Sequence, residues 1–138
     1  MRVSDNEHPE SALTSTSRAD RVRVVSLDVD VVNRKTVISS VHEMRTAGGG
    51  YVCVSNVHMV MEAYDHPDYQ AKVNNADLVI PDGMPLVWMQ KLRGRKHAAR
   101  VRGNDLTKAL LSFAAKNGLT VGFYGGTQSV IDLIRERA

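Results

Sequence analysis

The chain has a single cysteine, Cys53, so no internal disulfide can form. Its neighbours Tyr51, Val52 and Val54 read as a strand, which makes Cys53 a buried, inert thiol rather than a nucleophile. No apolar run approaches the roughly 20 residues needed to cross a membrane as a helix. The first 20 residues lack the apolar centre of a secretory signal, and a cytoplasmic setting is the expectation. Aromatic residues are 5% of the chain, too sparse for a base-stacking platform, which argues against nucleic acid as a partner. His42, His58, His66 and His97 lie far apart, and neither His-Glu-x-x-His nor Cys-x-x-Cys spacing occurs. No metal site is therefore expected, and His58 reads as a structural or surface residue. A Gly-x-Ser-x-Gly elbow is also missing, which excludes the usual serine hydrolase. Acidic residues vanish between Gly83 and Asn104, where Lys91, Arg93, Arg95, Lys96, Arg100 and Arg102 crowd together. The balance of 18 Lys+Arg against 15 Asp+Glu is nearly even over the whole chain, so this is a local positive surface of the kind that attracts phosphates.

What is present fits one domain. The length is 138 residues and 43% of them are hydrophobic, enough for one soluble core. Residues 1–20 are polar with few apolar partners and read as a disordered tail; residues 21–138 read as a single α/β domain, incomplete at its C-terminus. Val22, Val24, Val25, Leu27, Val29 and Val31 alternate as one or two short strands. Asn33 opens a helix along Val37, Ile38, Val41 and Met44, stopped by Gly48-Gly49-Gly50. Residues 51–55 form the next strand. Asn56 caps a helix with Val57, Val60, Met61 and Tyr64 on its apolar side, and a shorter helix follows Pro67. Leu78, Val79 and Ile80 make a strand, and Pro85 sits in the first turn of the next helix, with Met84, Trp88 and Met89 as its core residues. Asn104 or Asp105 caps an amphipathic helix along Leu106, Ala109, Leu110 and Phe113. Residues 119–124 read as a strand, Gly125-Gly126-Thr127 as a turn, and Val130 to Ile134 as a last helix. Strands alternating with helices predict an α/β, Rossmann-like, mostly parallel sheet flanked by helices.

Three groups of residues are placed to do chemistry. Ser55 and Asn56 end one strand and Asp82 ends another. Ligands of open α/β sheets sit at the carboxyl ends of strands, so Asp82 is a candidate general base and Asn56 a candidate for holding a sugar hydroxyl or amide. The alternative is that Asn56 only caps its helix and Asp82 only turns the chain before Gly83. Gly125, Gly126 and Thr127 form a turn before a helix, where glycines let the backbone approach a phosphate. It lacks the full Gly-x-Gly-x-x-Gly fingerprint and any P-loop lysine, so a simple tight turn is the alternative. Arg100 and Arg102, just before Gly103-Asn104-Asp105, offer forked donors for phosphate, or else form a solvated basic loop.

Four blocks together carry a family resemblance: Val54-Ser55-Asn56-Val57-His58-Met59-Val60, Asn75-Ala76-Asp77-Leu78-Val79-Ile80-Pro81-Asp82-Gly83, Arg100-Val101-Arg102-Gly103-Asn104-Asp105-Leu106 and Phe123-Tyr124-Gly125-Gly126. In order and spacing they resemble the WecG/TagA/CpsF glycosyltransferases, from about Arg21 onward. The resemblance implies an inverting, metal-independent and cofactor-free transfer of an N-acetylmannosamine-type sugar from a UDP-sugar donor. The implied acceptor is a sugar on a polyprenyl diphosphate, at the inner face of the bacterial cell membrane, during surface polysaccharide synthesis. It makes Asp82 the catalytic base and Asn56 a substrate-positioning residue, with Arg100 in the active-site region. Ser55, Gly83 and Asp105 are expected beside the substrate, and Gly125, Gly126 and Thr127 beside the nucleotide. Peripheral membrane contact and a homo-oligomer are further expectations. A non-catalytic sugar-nucleotide-binding remnant of such an enzyme is the alternative.

Overall fold

The computed structural model describes residues 20–137. The tail expected over 1–20 lies outside the described residues except for Asp20, which belongs to the fold. The Asp20 carbonyl accepts from the Val31 N–H at 2.8 Å, and its carboxylate pairs with Arg95. The hydrogen bond that Arg95 Nη2 donates to Asp20 Oδ1 at 2.9 Å, with the carboxylate's charge, raises the Arg95 guanidinium above its ordinary range.

The alternating valines fold back on themselves. Strands β1 (Arg21–Val24) and β2 (Leu27–Asp30) form an antiparallel hairpin with Val24 opposite Leu27. The loop puts Val25 at φ 55°, a left-handed conformation that β-branched residues rarely adopt. Ser26 secures it: its hydroxyl donates to the Val60 carbonyl at 2.5 Å, and its own carbonyl accepts from Gln70 Nε2 at 2.9 Å and Asn74 Nδ2 at 3.1 Å.

Helix α1 (Arg34–Thr46) begins as expected at Asn33. Asn33 Oδ1 accepts from the Lys35 and Thr36 N–H groups, and Thr36 returns the favour to the cap backbone, a reciprocal box that satisfies otherwise orphaned donors. Strand β3 (Val52–Ser55), helix α2 (Val57–Asp65), helix α3 (Pro67–Asn74), strand β4 (Leu78–Pro81) and helix α4 (Met84–Leu92) follow in turn. β3 and β4 pair in parallel, from Val52 opposite Leu78 to Ser55 opposite Pro81. Because side chains alternate across a strand, the pair is packed on both faces. Cys53 and Val79 join a cluster with Val24, Leu27, Val29, Val60, Ala63, Val73 and Leu86. Val52, Val54, Leu78 and Ile80 join the opposite cluster with Val37, Val101 and Leu106. Cys53 is half-buried, and burial pushes its thiol above the ordinary range, in keeping with an inert sulfhydryl.

A buried carboxylate joins the hairpin to the parallel pair. Asp30 has no exposed surface; it accepts from Arg21 Nε at 2.9 Å and from the Val79 N–H at 2.6 Å. The rest of the Arg21 fork donates to the carbonyls of Asn74 at 2.9 Å and Ala76 at 2.7 Å. Asp77, in the Ala-Asp-Leu-Val block, clamps the start of both strands: its N–H donates to the Tyr51 carbonyl at 3.1 Å and its Oδ2 accepts the Tyr51 N–H at 2.9 Å.

The α/β class holds, with small sheets: two strands antiparallel and two parallel among the described residues. The structure corrects four local expectations. Residues 119–124 are not a strand. No neighbouring strand among the described residues offers them a ladder, and Val121, Phe123 and Tyr124 face solvent. The helix after the basic segment, α5 (Gly103–Lys116), is capped at Arg102, so Asn104 and Asp105 lie inside its first turn. α2 turns Val60 and Ala63 inward and leaves Val57, Met61 and Tyr64 exposed; apolar residues line two of its sides, and contact with the hairpin selects one. In α4, Leu86, Val87 and Gln90 fill the core. Gln90 Nε2 donates to the carbonyls of Val29 at 3.2 Å and Asp30 at 3.0 Å, and this rotation leaves Trp88 outside. The last helix, α6 (Gln128–Arg137), follows the glycine turn.

Candidate active site

The parallel register fixes what meets at the strand ends. With Ser55 opposite Pro81, the next residues, Asn56 and Asp82, emerge side by side. The Asp82 N–H donates to the Ser55 carbonyl at 2.9 Å, extending the ladder one step beyond β4. A Cβ built on Gly83 would lie 3.6 Å from the Asn56 Cα, so the two turns run close together. Asn56 Oδ1 caps α2 by accepting the Met59 N–H at 3.1 Å. Its amide nitrogen has no partner among the described residues and is free to donate. Ser55 is different: it has no exposed surface, and its hydroxyl has no partner among the described residues. Its carbonyl positions Asp82, while its side chain is sealed beneath the surface.

The segment 98–102 closes over the end of β4. The Val101 N–H donates to the Pro81 carbonyl at 2.9 Å, which buries Val101 and sets Arg100 and Arg102 on either side of it. Arg100 Nε donates to the Asp82 carbonyl, and its Nη2 stands 3.7 Å from Asp82 Oδ1. The Asp82 side chain is 31% exposed, and its carboxylate oxygens accept no hydrogen bond among the described residues. It is a solvent-reachable acceptor held in place through its backbone, the arrangement a general base needs.

Beside this lies a cleft of about 550 Å³ lined by Arg34, Met84, Arg100, Val101, Arg102 and Asp105. Three helices begin at it: Arg34 is the first residue of α1, Met84 the first of α4, and Arg102 the cap of α5. Neither α4 nor α5 has a side-chain cap; the first turn of α5 can offer its N–H groups to an anion, whereas α4 offers that of Met84, because Pro85 has none and the Leu86 N–H donates to the Gly83 carbonyl. Three arginines against one carboxylate in the wall give the cleft a positive field. Its size and charge suit a phosphorylated ligand.

Of the expected site residues, the structure brings Asp82, Asn56 and Gly83 together at the strand ends with Arg100 against Asp82; Arg100 and Asp105 line the neighbouring cleft, and Asp82, Asn56 and Gly83 do not. Gly125, Gly126 and Thr127 are exposed on the turn before α6 and do not line the cleft; the Thr127 carbonyl accepts the Val130 and Ile131 N–H groups at 3.0 and 3.1 Å to start that helix. Arg34 and Met84 were missed. The signal for Arg34 was its position directly after a capping asparagine that follows a strand, because such helix starts gather at the ligand-binding edge of an α/β sheet. Among the described residues no three His, Cys, Asp or Glu side chains group as metal ligands.

An aspartate at a strand end stands beside an arginine-lined cleft ringed by helix starts, in an α/β protein. Over residues 22–138 the chain matches the glycosyl transferase WecG/TagA/CpsF family, and it belongs to that family. Similar proteins include the N-acetylglucosaminyldiphosphoundecaprenol N-acetyl-beta-D-mannosaminyltransferases of Bacillus spizizenii (35% identical over 89 residues, 64% of this chain) and Bacillus subtilis (28% over 83 residues, 60% of this chain). The matched stretches are 35% and 32% of those proteins, so the chain spans about a third of the length of the curated relatives it matches.

Proposed function

We propose that this chain carries the catalytic aspartate and diphosphate-binding cleft of a glycosyltransferase. It moves an N-acetylmannosamine-type sugar from a UDP-sugar to a sugar on a polyprenyl diphosphate, in bacterial cell-surface polysaccharide synthesis. The observation that carries this reading is the meeting of Asp82 and Asn56 at the ends of paired parallel strands, beside a cleft with three arginines. The matched relatives, named for the same transfer, support it.

The chemistry follows from the groups present. Inversion takes one displacement at the anomeric carbon. The acceptor hydroxyl attacks, its proton passes to the Asp82 carboxylate, and the bond to the UDP oxygen breaks. Asn56 holds a hydroxyl or amide of the reacting sugars through its free amide. The departing diphosphate gains negative charge, and Arg34, Arg100, Arg102 and the uncapped starts of α4 and α5 stabilise it where charge develops. No step in this scheme calls on a metal. Residues 21–138 act as one Rossmann-like domain whose parallel nucleus is β3 and β4. Gly125, Gly126 and Thr127 approach the nucleotide when the ligand is bound. The protein works as a homo-oligomer at the inner face of the cell membrane.

A second reading, a sugar-nucleotide-binding piece without turnover, is favoured by one observation: the Gly125-Gly126-Thr127 turn stands outside the cleft. Incubation with UDP-N-acetylmannosamine and a soluble N-acetylglucosaminyl-diphosphate lipid analogue separates the two. Release of UDP with a product of inverted anomeric configuration supports the transferase. Saturable UDP binding without product supports the second reading, and no UDP binding refutes both.

A further inference from the structure

Helix α4 starts at the cleft and carries an unusual outer face away from it. Pro85, Trp88, Lys91 and Leu92 are exposed while Leu86, Val87 and Gln90 are buried. Positions 85, 88 and 92 fall on one stripe of the helix. Trp88 is 57% exposed and Leu92 82%, so a large ring and an aliphatic chain one turn apart both stand in water. Their surroundings are cationic. Lys91, Arg93 and Lys96 are exposed, and no acidic residue occurs from 84 to 103. Arg95, in the same segment, is occupied by Asp20.

This composition matches one kind of surface. Tryptophan settles at the level of lipid headgroups, an exposed leucine enters the acyl boundary, and lysine and arginine meet anionic phosphates. Position adds to composition. Met84 lines the cleft, and Leu92 lies eight residues further along α4, roughly 12 Å away at helical rise. A bilayer touching Trp88 and Leu92 therefore lies within reach of a lipid-linked diphosphate seated in the cleft. We infer that the Trp88 and Leu92 face of α4, rimmed by Lys91, Arg93 and Lys96, seats the protein on an anionic bilayer and presents the cleft to it. The choice of lipid as occupant rests on the transferase reading above.

Trp88 is the only tryptophan, so its emission reports its own surroundings. The full chain is mixed with vesicles of phosphatidylglycerol and phosphatidylcholine in equal parts, and with phosphatidylcholine alone. The expected result is sedimentation with the anionic vesicles and a blue shift of Trp88 emission, with neither on phosphatidylcholine. Neutralising Lys91, Arg93 and Lys96 together to glutamine lowers partitioning on the order of a hundredfold. Leu92→Glu lowers it about tenfold or more, with Leu92→Ser read instead if circular dichroism shows altered folding. Unchanged Trp88 emission on vesicles that sediment the protein overturns the inference, as does equal partitioning of the variants. A blue shift without vesicles that grows with protein concentration also overturns it, because a second copy then covers this face. The vesicles hold no polyprenyl lipid and no nucleotide sugar, so a negative result leaves the transferase reading standing. Vesicle binding with no transfer in the turnover assay fails that reading alone.

Discussion

Two stretches of this chain share one plan: an apolar run, a glycine and then a helix. At Leu78–Pro81 the run becomes β4, buried along its whole length and followed by Asp82, Gly83 and α4. At 119–124 the run stays extended and exposed, followed by Gly125, Gly126 and α6. Local pattern does not separate them, but partners do. β4 has β3 on one side, the hairpin's Asp30 on its backbone and apolar clusters on both faces. The later run has no strand beside it among the described residues. An apolar segment becomes a strand when its N–H and C=O groups find a ladder, and Asp82 directly follows the stretch that found one.

Five substitutions probe this contrast. Asp30→Ala removes the buried carboxylate that joins Arg21 to the Val79 N–H and leaves Arg21 only its carbonyl partners. A loss of about 3–5 kcal/mol is expected, read as a drop in urea midpoint; a change below ~1 kcal/mol would mean the hairpin is not needed to support β4. Ile80→Ala opens a cavity between β4 and the helices and costs about 2–5 kcal/mol, whereas Val121→Ala on the exposed run stays within about 0.5 kcal/mol. Equal losses at the two positions would show that 119–124 is buried in solution. Gly50→Ala places a methyl 2.8 Å from Asp77 Oδ2, at the clamp that starts both strands, and costs about 1–3 kcal/mol by overpacking. Gly83→Ala, where the nearest atoms lie at 3.6 Å and φ is −87°, shifts the thermal midpoint far less.

The sequence carried most of the frame. Asn33 and Asn56 were legible as caps because asparagine before an apolar-periodic run has one strong local use. The strand-end position of Asp82 was legible because a short apolar run closed by proline, aspartate and glycine has few other readings. Residues 119–124 misled because β-propensity cannot say whether a pairing edge is present. Trp88 misled because hydrophobicity fixes neither which side of a helix turns inward nor that the buried polar residue would be Gln90. Asp30 escaped notice because a carboxylate in a valine-rich strand looks like its solvent face, and only the fold brings Arg21 and the Val79 N–H to it. Arg34 was hidden for a related reason: its distance to Arg100 in sequence conceals that α1 and α5 begin at one cleft.

The decisive experiment replaces Asp82 by asparagine in an active, full-length context and measures transfer and donor binding together. The expected result is a fall in turnover of about 10²–10⁴-fold, the usual worth of a positioned base, with UDP-sugar affinity preserved. Turnover near that of the unmodified protein would contradict the assignment of Asp82 as the base.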